Sequence, residues 1–162
     1  DMLQSISNPP DHLIENEIAP VIEWVLWLGA LTPCLELYRT AVKPLGEETY
    51  RIEFVIENTG YMPTYGMERA VEGKVTREVV AEIHLPEGCS LVHGKARENL
   101  GHLNGRNNVP AASFYNSYVT VVGGSAQRAL VEWIVKAPIG HEIELIAKQP
   151  RAGIVRAVVS CE

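Results

Sequence analysis

The residues best suited to hold a metal are five histidines and three cysteines. His12-Leu13-Ile14-Glu15 spells H-x-x-E, the core of a zinc-peptidase signature. That chemistry needs a neutral imidazole and a carboxylate on one ion, a further histidine, and a separate general base. Here the four residues open a helical stretch with no third ligand, so a solvated Glu15 is the simpler reading. His84, His93 and His102 come from neighbouring strand and turn segments. They could share a zinc ion only if folding gathered them, and separate surface histidines are the commoner arrangement. His141 and Glu142 are adjacent in a strand-like run, so they face opposite sides and cannot act as a unit.

Nucleophile and phosphate motifs are missing as well. No serine stands in a G-x-S-x-G elbow, and there is neither a G-x-G-x-x-G nor a G-x-x-x-x-G-K-[ST] loop. Gly123-Gly124-Ser125 reads as a turn. Glu53, Glu57, Glu82, Glu132 and Glu144 recur on alternating positions, which a solvated sheet face explains better than paired catalytic acids. Cys34, Cys89 and Cys161 show no C-x-x-C spacing. A Cys34–Cys161 disulfide requires the first and last strands to be neighbours; an odd, sparse set more often means reduced thiols. No catalytic residue and no metal ligand are therefore expected on this chain. Two tyrosines remain: Tyr61 and Tyr65 follow the Asn58-Thr59-Gly60 turn and form a candidate ligand loop, where they could stack on sugar or dock a partner. Packing back onto their own domain is the alternative.

These side chains must be positioned by a domain of ordinary composition. The 162 residues are 46% hydrophobic and 21% charged, enough for one core that buries roughly 70% of the unfolded surface. With a formal net charge of −6 and 14 scattered basic residues, nucleic acid is not expected as a partner. The longest apolar run, Val21 to Leu31, is interrupted by Glu23 and falls short of the ~20 residues of a membrane span. The chain opens at Asp1 with no basic segment ahead of an apolar run, and reads as a piece of a larger protein.

Two periodicities divide the chain. Asn8-Pro9-Pro10-Asp11 carries helix-start signals, with Asn8 as cap, Pro9 in the first turn and Asp11 completing a box-like arrangement. Leu13, Ile14, Ile18, Val21, Ile22, Val25 and Leu28 follow at helical spacing. Pro20 predicts a kink or a break into two helices, and Thr32-Pro33 an end. From Val21 to Leu28 the helix is apolar on both faces and must be covered on two sides. It is either sunk in the domain's own core or docked on another domain or copy. On the second reading Trp24, Trp27 and Leu28 are the candidate interface.

From Cys34 onward the period is two. Strands are expected over 35–42, 50–57, 79–85, 129–136, 141–148 and 154–161, with Tyr50, Ile52, Phe54 and Ile56 facing inward. Turn signals separate them, as at Pro86-Glu87-Gly88 and Pro138-Ile139-Gly140. Residues 61–76 read as a long loop or short helix, and 104–125 as loops around one further strand. The fold class is mostly β: an antiparallel, immunoglobulin-like β-sandwich of about seven strands over 34–162, with a helical arm over 1–33.

Several segments resemble the region that follows the catalytic domain in bacterial carboxypeptidase-A-like zinc metallopeptidases. Asn58-Thr59-Gly60-Tyr61-Met62-Pro63-Thr64-Tyr65 is the most specific piece. Asn8 to Leu13, Leu85 to Gly88, Leu91 to Lys95, Gly101 to Arg106, Val131 to Val135 and Arg151 to Arg156 add to it. The resemblance implies an accessory domain, with zinc held in a catalytic domain N-terminal to Asp1 and none of its ligands on this chain. The expected function is a non-catalytic structural or interaction domain that docks on its own catalytic domain through the Trp24/Trp27 helix. An isolated fragment is then expected to self-associate. The alternative is a carbohydrate- or peptide-binding module of adhesion type.

Overall fold

Strict alternation over Tyr50–Ile56 can be buried only if one strand face meets another apolar layer, and a second sheet supplies it. The computed structural model describes residues 10–108 and 127–162. The readings placed on Asn8 and Pro9 and on residues 109–125 lie outside the described residues. The chain divides into two compact units, Asp1–Thr32 and Pro33–Glu162.

In the first unit a 3-10 turn, Asp11–Leu13, leads into α1, Ile14–Ala30. The helix runs through Pro20 as one element rather than two. Proline removes one backbone donor and crowds the preceding turn, a cost of about 3 kcal/mol. That cost is confined to one position within 17 residues. Past the end of the helix at Ala30, the backbone N–H and hydroxyl of Thr32 both donate to the Gly29 carbonyl. No residue of α1 is buried.

The described residues of the second unit form eight strands: β1 (Leu35–Gly46), β2 (Thr49–Asn58), β3 (Val79–His84), β4 (Ser90–His93), β5 (Arg97–Gly101), β6 (Arg128–Lys136), β7 (Glu142–Gln149) and β8 (Gly153–Ser160). A short helix, α2 (Glu68–Glu72), lies within the 61–76 stretch. The sheets run β1-β2-β6-β4 and β5-β3-β7-β8, with every pairing antiparallel. Immunoglobulin constant domains place four strands in one sheet and three in the other. The same plan is visible here with β5 added at the edge beside β3. The two strands absent from the sequence reading, β4 and β5, are edge strands. They are short and polar, as edges that avoid further pairing should be, and so carry no apolar period.

One core joins the sheets. Ile52, Phe54 and Ile56 of β2 and Trp133 and Val135 of β6 are fully buried together with Val79, Ala81, Ile143, Leu145 and Ala147 from the facing sheet. Phe54 stacks on Trp133 with ring centroids 6.4 Å apart. The indole N–H donates to the Lys95 carbonyl at 2.8 Å, so the largest core side chain also fixes the turn between β4 and β5. Gly94 is required in that turn: its φ is +94°, and a Cβ there would lie 2.7 Å from the Trp133 ring.

Candidate functional site

The 58–66 loop is organised by a single amide. Asn58 is fully buried and uses its whole hydrogen-bonding capacity. Its oxygen accepts from the backbone N–H groups of Cys34 and Gly60, and its NH2 donates to the carbonyls of Met62 and Asn104. Thr64, also fully buried, exchanges backbone and hydroxyl hydrogen bonds with Leu103. Gln149 does for the other sheet what Asn58 does here: it donates to the carbonyls of Thr64 and Arg77 and accepts from the N–H groups of Arg151 and Ala152. The strands' ends, the 58–66 loop and the 101–108 segment are thereby held together. Gly105 lies so close that a Cβ would stand 2.3 Å from the Tyr61 carbonyl oxygen.

Beside this node the outer face of the second sheet opens into a hollow of about 890 Å³. Its floor follows directly from the strand register. Asn99, Val80, Lys148 and Ile154 stand opposite one another on β5, β3, β7 and β8. Val71, Lys74, Thr76, Arg77 and Glu78, on and after α2, line it as well, with His102 and Pro150. Four lining residues are cationic: Lys74, Arg77, Arg97 and Lys148. Arg97 and Lys148 share Glu82 at 3.6 and 2.7 Å. The Lys148 hydrogen bond, with Arg97 and His84 nearby, holds the Glu82 carboxyl below the usual carboxylate range. Glu78 accepts from the Asn99 amide. Chemically, the hollow combines cationic groups with apolar surface from Val80, Pro150 and Ile154, the mixture that small-molecule sites use for orientation and burial.

Of the candidate ligand loop, Tyr61 is half exposed. Tyr65 is half-buried, donates to Asn104 Oδ1 at 3.2 Å and packs edge-on against His102 with centroids 5.7 Å apart. The two tyrosines thus have different settings, and Tyr65 abuts a residue that lines the hollow. The histidines are dispersed: His84 pairs with Glu144 at 3.2 Å on the outer face of β3, His93 ends β4 in the other sheet, and His102 is the Tyr65 neighbour. Among the described residues, no three His, Cys, Asp or Glu side chains gather as a metal site would require. All three cysteines are free thiols; Cys34 is exposed and Cys161 buried. Burial pushes the Cys89 and Cys161 thiols up.

The candidate interface residues lie on α1. Trp24 and Trp27 are each 58% exposed and Leu28 is 37% exposed, alongside exposed Val21, Ile22, Val25 and Leu26. No described helix is long and apolar enough to cross a membrane.

The family of domains of unknown function DUF8731 matches residues 34–160. The chain belongs to DUF8731. The matched span covers the sandwich from the residue before β1 to the last residue of β8, so the DUF8731 unit includes the hollow and excludes α1. No curated protein matches the chain.

The hollow of the DUF8731 sandwich was not read from the sequence. Of its floor, Val80 was legible, as an outward position alternating with the buried residues of β3. The basic residues that read as scattered along the chain converge only through strand register and the placement of the 73–78 segment.

Proposed function

We propose that this chain is a non-catalytic interaction domain that docks on a neighbouring folded domain through α1, in a protein whose catalytic domain is a zinc carboxypeptidase-like peptidase. The observation that supports it is the exposure of Trp24 and Trp27, 58% each, within a helix that has no buried residue. Contiguous exposed apolar surface of this kind marks interaction sites, and tryptophan is among the residues that dominate their energetics. The peptidase parentage rests on the sequence resemblance centred on Asn58–Tyr65, and zinc would reside in the catalytic domain rather than here.

Sedimentation equilibrium of the isolated chain tests the docking surface. Concentration-dependent self-association is expected, with the Trp24→Glu/Trp27→Glu variant monomeric and its β-sheet circular dichroism unchanged. A clean monomer at high concentration in the unaltered chain counts against the proposal. The coding sequence upstream of Asp1 tests the parentage, since a zinc-carboxypeptidase signature is expected there.

A second reading, a carbohydrate- or peptide-binding module, is favoured by Tyr61, whose ring is exposed on a loop fixed by Asn58. Saturable glycan or peptide binding that Tyr61→Ala abolishes would support it.

A further inference from the structure

We propose that the hollow over β5, β3, β7 and β8 binds a small organic anion, a carboxylate or phosphate monoester carrying an apolar body. The volume, about 890 Å³, lies within the range of small-molecule sites, roughly 300–1,000 Å³. The charge of the lining opposes that of the whole molecule. The chain carries −6, whereas the lining presents Lys74, Arg77, Arg97 and Lys148 against Glu78 alone. Such a local reversal concentrates anions in a cleft.

Two of the four cations are committed and two are not. Arg97 and Lys148 are partly neutralised by Glu82. Among the described residues, Lys74 and Arg77 form no ion pair. Their charges face no carboxylate within the lining other than Glu78, which already accepts from Asn99. Lys74 also has a φ of +53°, a conformation that glycine adopts freely and lysine seldom does. A lysine at the position just past α2, where glycine would end the helix without strain, retains its ammonium at a conformational cost.

The remaining lining fits the rest of such a ligand. Val80, Ile154 and Pro150 give it apolar surface. Ile154 is 62% exposed, so its side chain is open to contact from the hollow. Two further lining residues have buried polar atoms, Thr76 Oγ1 and His102 Nδ1, with no hydrogen-bond partner among the described residues. Buried polar groups are nearly always paired, so the lining retains unused hydrogen-bonding capacity beside its uncommitted cations.

The test uses the full chain and three probes of similar shape: 4-phenylbutyrate, phenyl phosphate and neutral 4-phenylbutyramide. Binding is followed by NMR through the methyl resonances of Val80 and Ile154. Either anion is expected to saturate these shifts and to bind roughly tenfold more tightly than the amide, the scale of one charge-assisted contact. Raising the salt should weaken both anions and leave the amide unaffected. Lys74→Gly removes the ammonium and relieves the backbone, so the melting temperature should hold or rise while anion affinity falls severalfold. Arg77→Gln should lower affinity comparably. Equal binding of anions and amide, shifts mapping away from the hollow, no saturable binding of any probe, or Lys74→Gly and Arg77→Gln variants that both bind like the parent would each overturn the proposal.

Discussion

Asn58 shows how one side chain can organise a loop that sequence alone reads only as a turn. An amide with four satisfied bonds to four backbone groups replaces water at every polar atom, which makes its burial tolerable. Removing it strands the Cys34 and Gly60 N–H groups and the Met62 and Asn104 carbonyls. Asn58→Ala is therefore expected to destabilise the sandwich by about 3 kcal/mol or more, measured by urea denaturation. Asn58→Asp is the sharper variant. It keeps the acceptor that serves Cys34 and Gly60 but turns a second oxygen toward two carbonyl oxygens, so near neutral pH it should lose stability of similar size. If Asn58→Asp were as stable as the parent, the amide orientation would be wrong and the loop would be held by other contacts. The sequence identified Asn58-Thr59-Gly60 as a turn because asparagine and glycine suit turns. It gave no sign that Asn58 reaches residue 104, because a hydrogen bond between residues so far apart in the chain leaves no local pattern.

At the level of strands, the alternation that made β2, β3, β6, β7 and β8 legible also assigned their acidic residues to the outer faces. Glu53 stands between Arg39 at 3.0 Å and Lys43 at 2.9 Å on the neighbouring strand, and Glu82 between Arg97 and Lys148. The Glu53 pairs tie β2 to β1, and the Glu82 pairs tie β3 to both β5 and β7, the kind of contact that supplements sheet packing. The Lys43 hydrogen bond, with Arg39 and Arg51 adding to it, lowers the Glu53 carboxyl, and Glu82 is lowered likewise. Depressed folded-state values mean that the unfolded chain binds protons first on acidification. The stabilisation is complete above the ordinary carboxylate range, about pH 4–5, and is lost as pH falls through the lower folded-state values. Thermal melts should therefore show a midpoint that declines below that range. Glu53→Gln should flatten part of the decline, its midpoint converging on that of the parent at the acid end. A variant whose pH profile runs parallel to the parent's would show that Glu53 carries none of it. Where alternation is missing, a strand leaves no local pattern in the sequence. The two edge strands are too short and polar for a period.

Across the whole molecule, the family match begins at residue 34 and the compact units divide between Thr32 and Pro33. Within the second unit the buried core of the described residues runs from Leu35 to Cys161 and draws on both sheets. A core of that kind should fold without the arm. A chain of residues 33–162 is accordingly expected to unfold in one cooperative step, with a midpoint within about 3 °C of the full chain. In sedimentation it should be monomeric, since Trp24 and Trp27 leave with the deleted segment. The two readouts separate two roles for the arm. A midpoint depressed by more than about 10 °C would mean that α1 supplies part of the stability of the sandwich, and the helix would be a core element instead of a docking surface. An unchanged midpoint with self-association persisting would move the sticky surface onto the sandwich itself, where exposed Leu37, Tyr38 and Leu130 would be the next residues to replace.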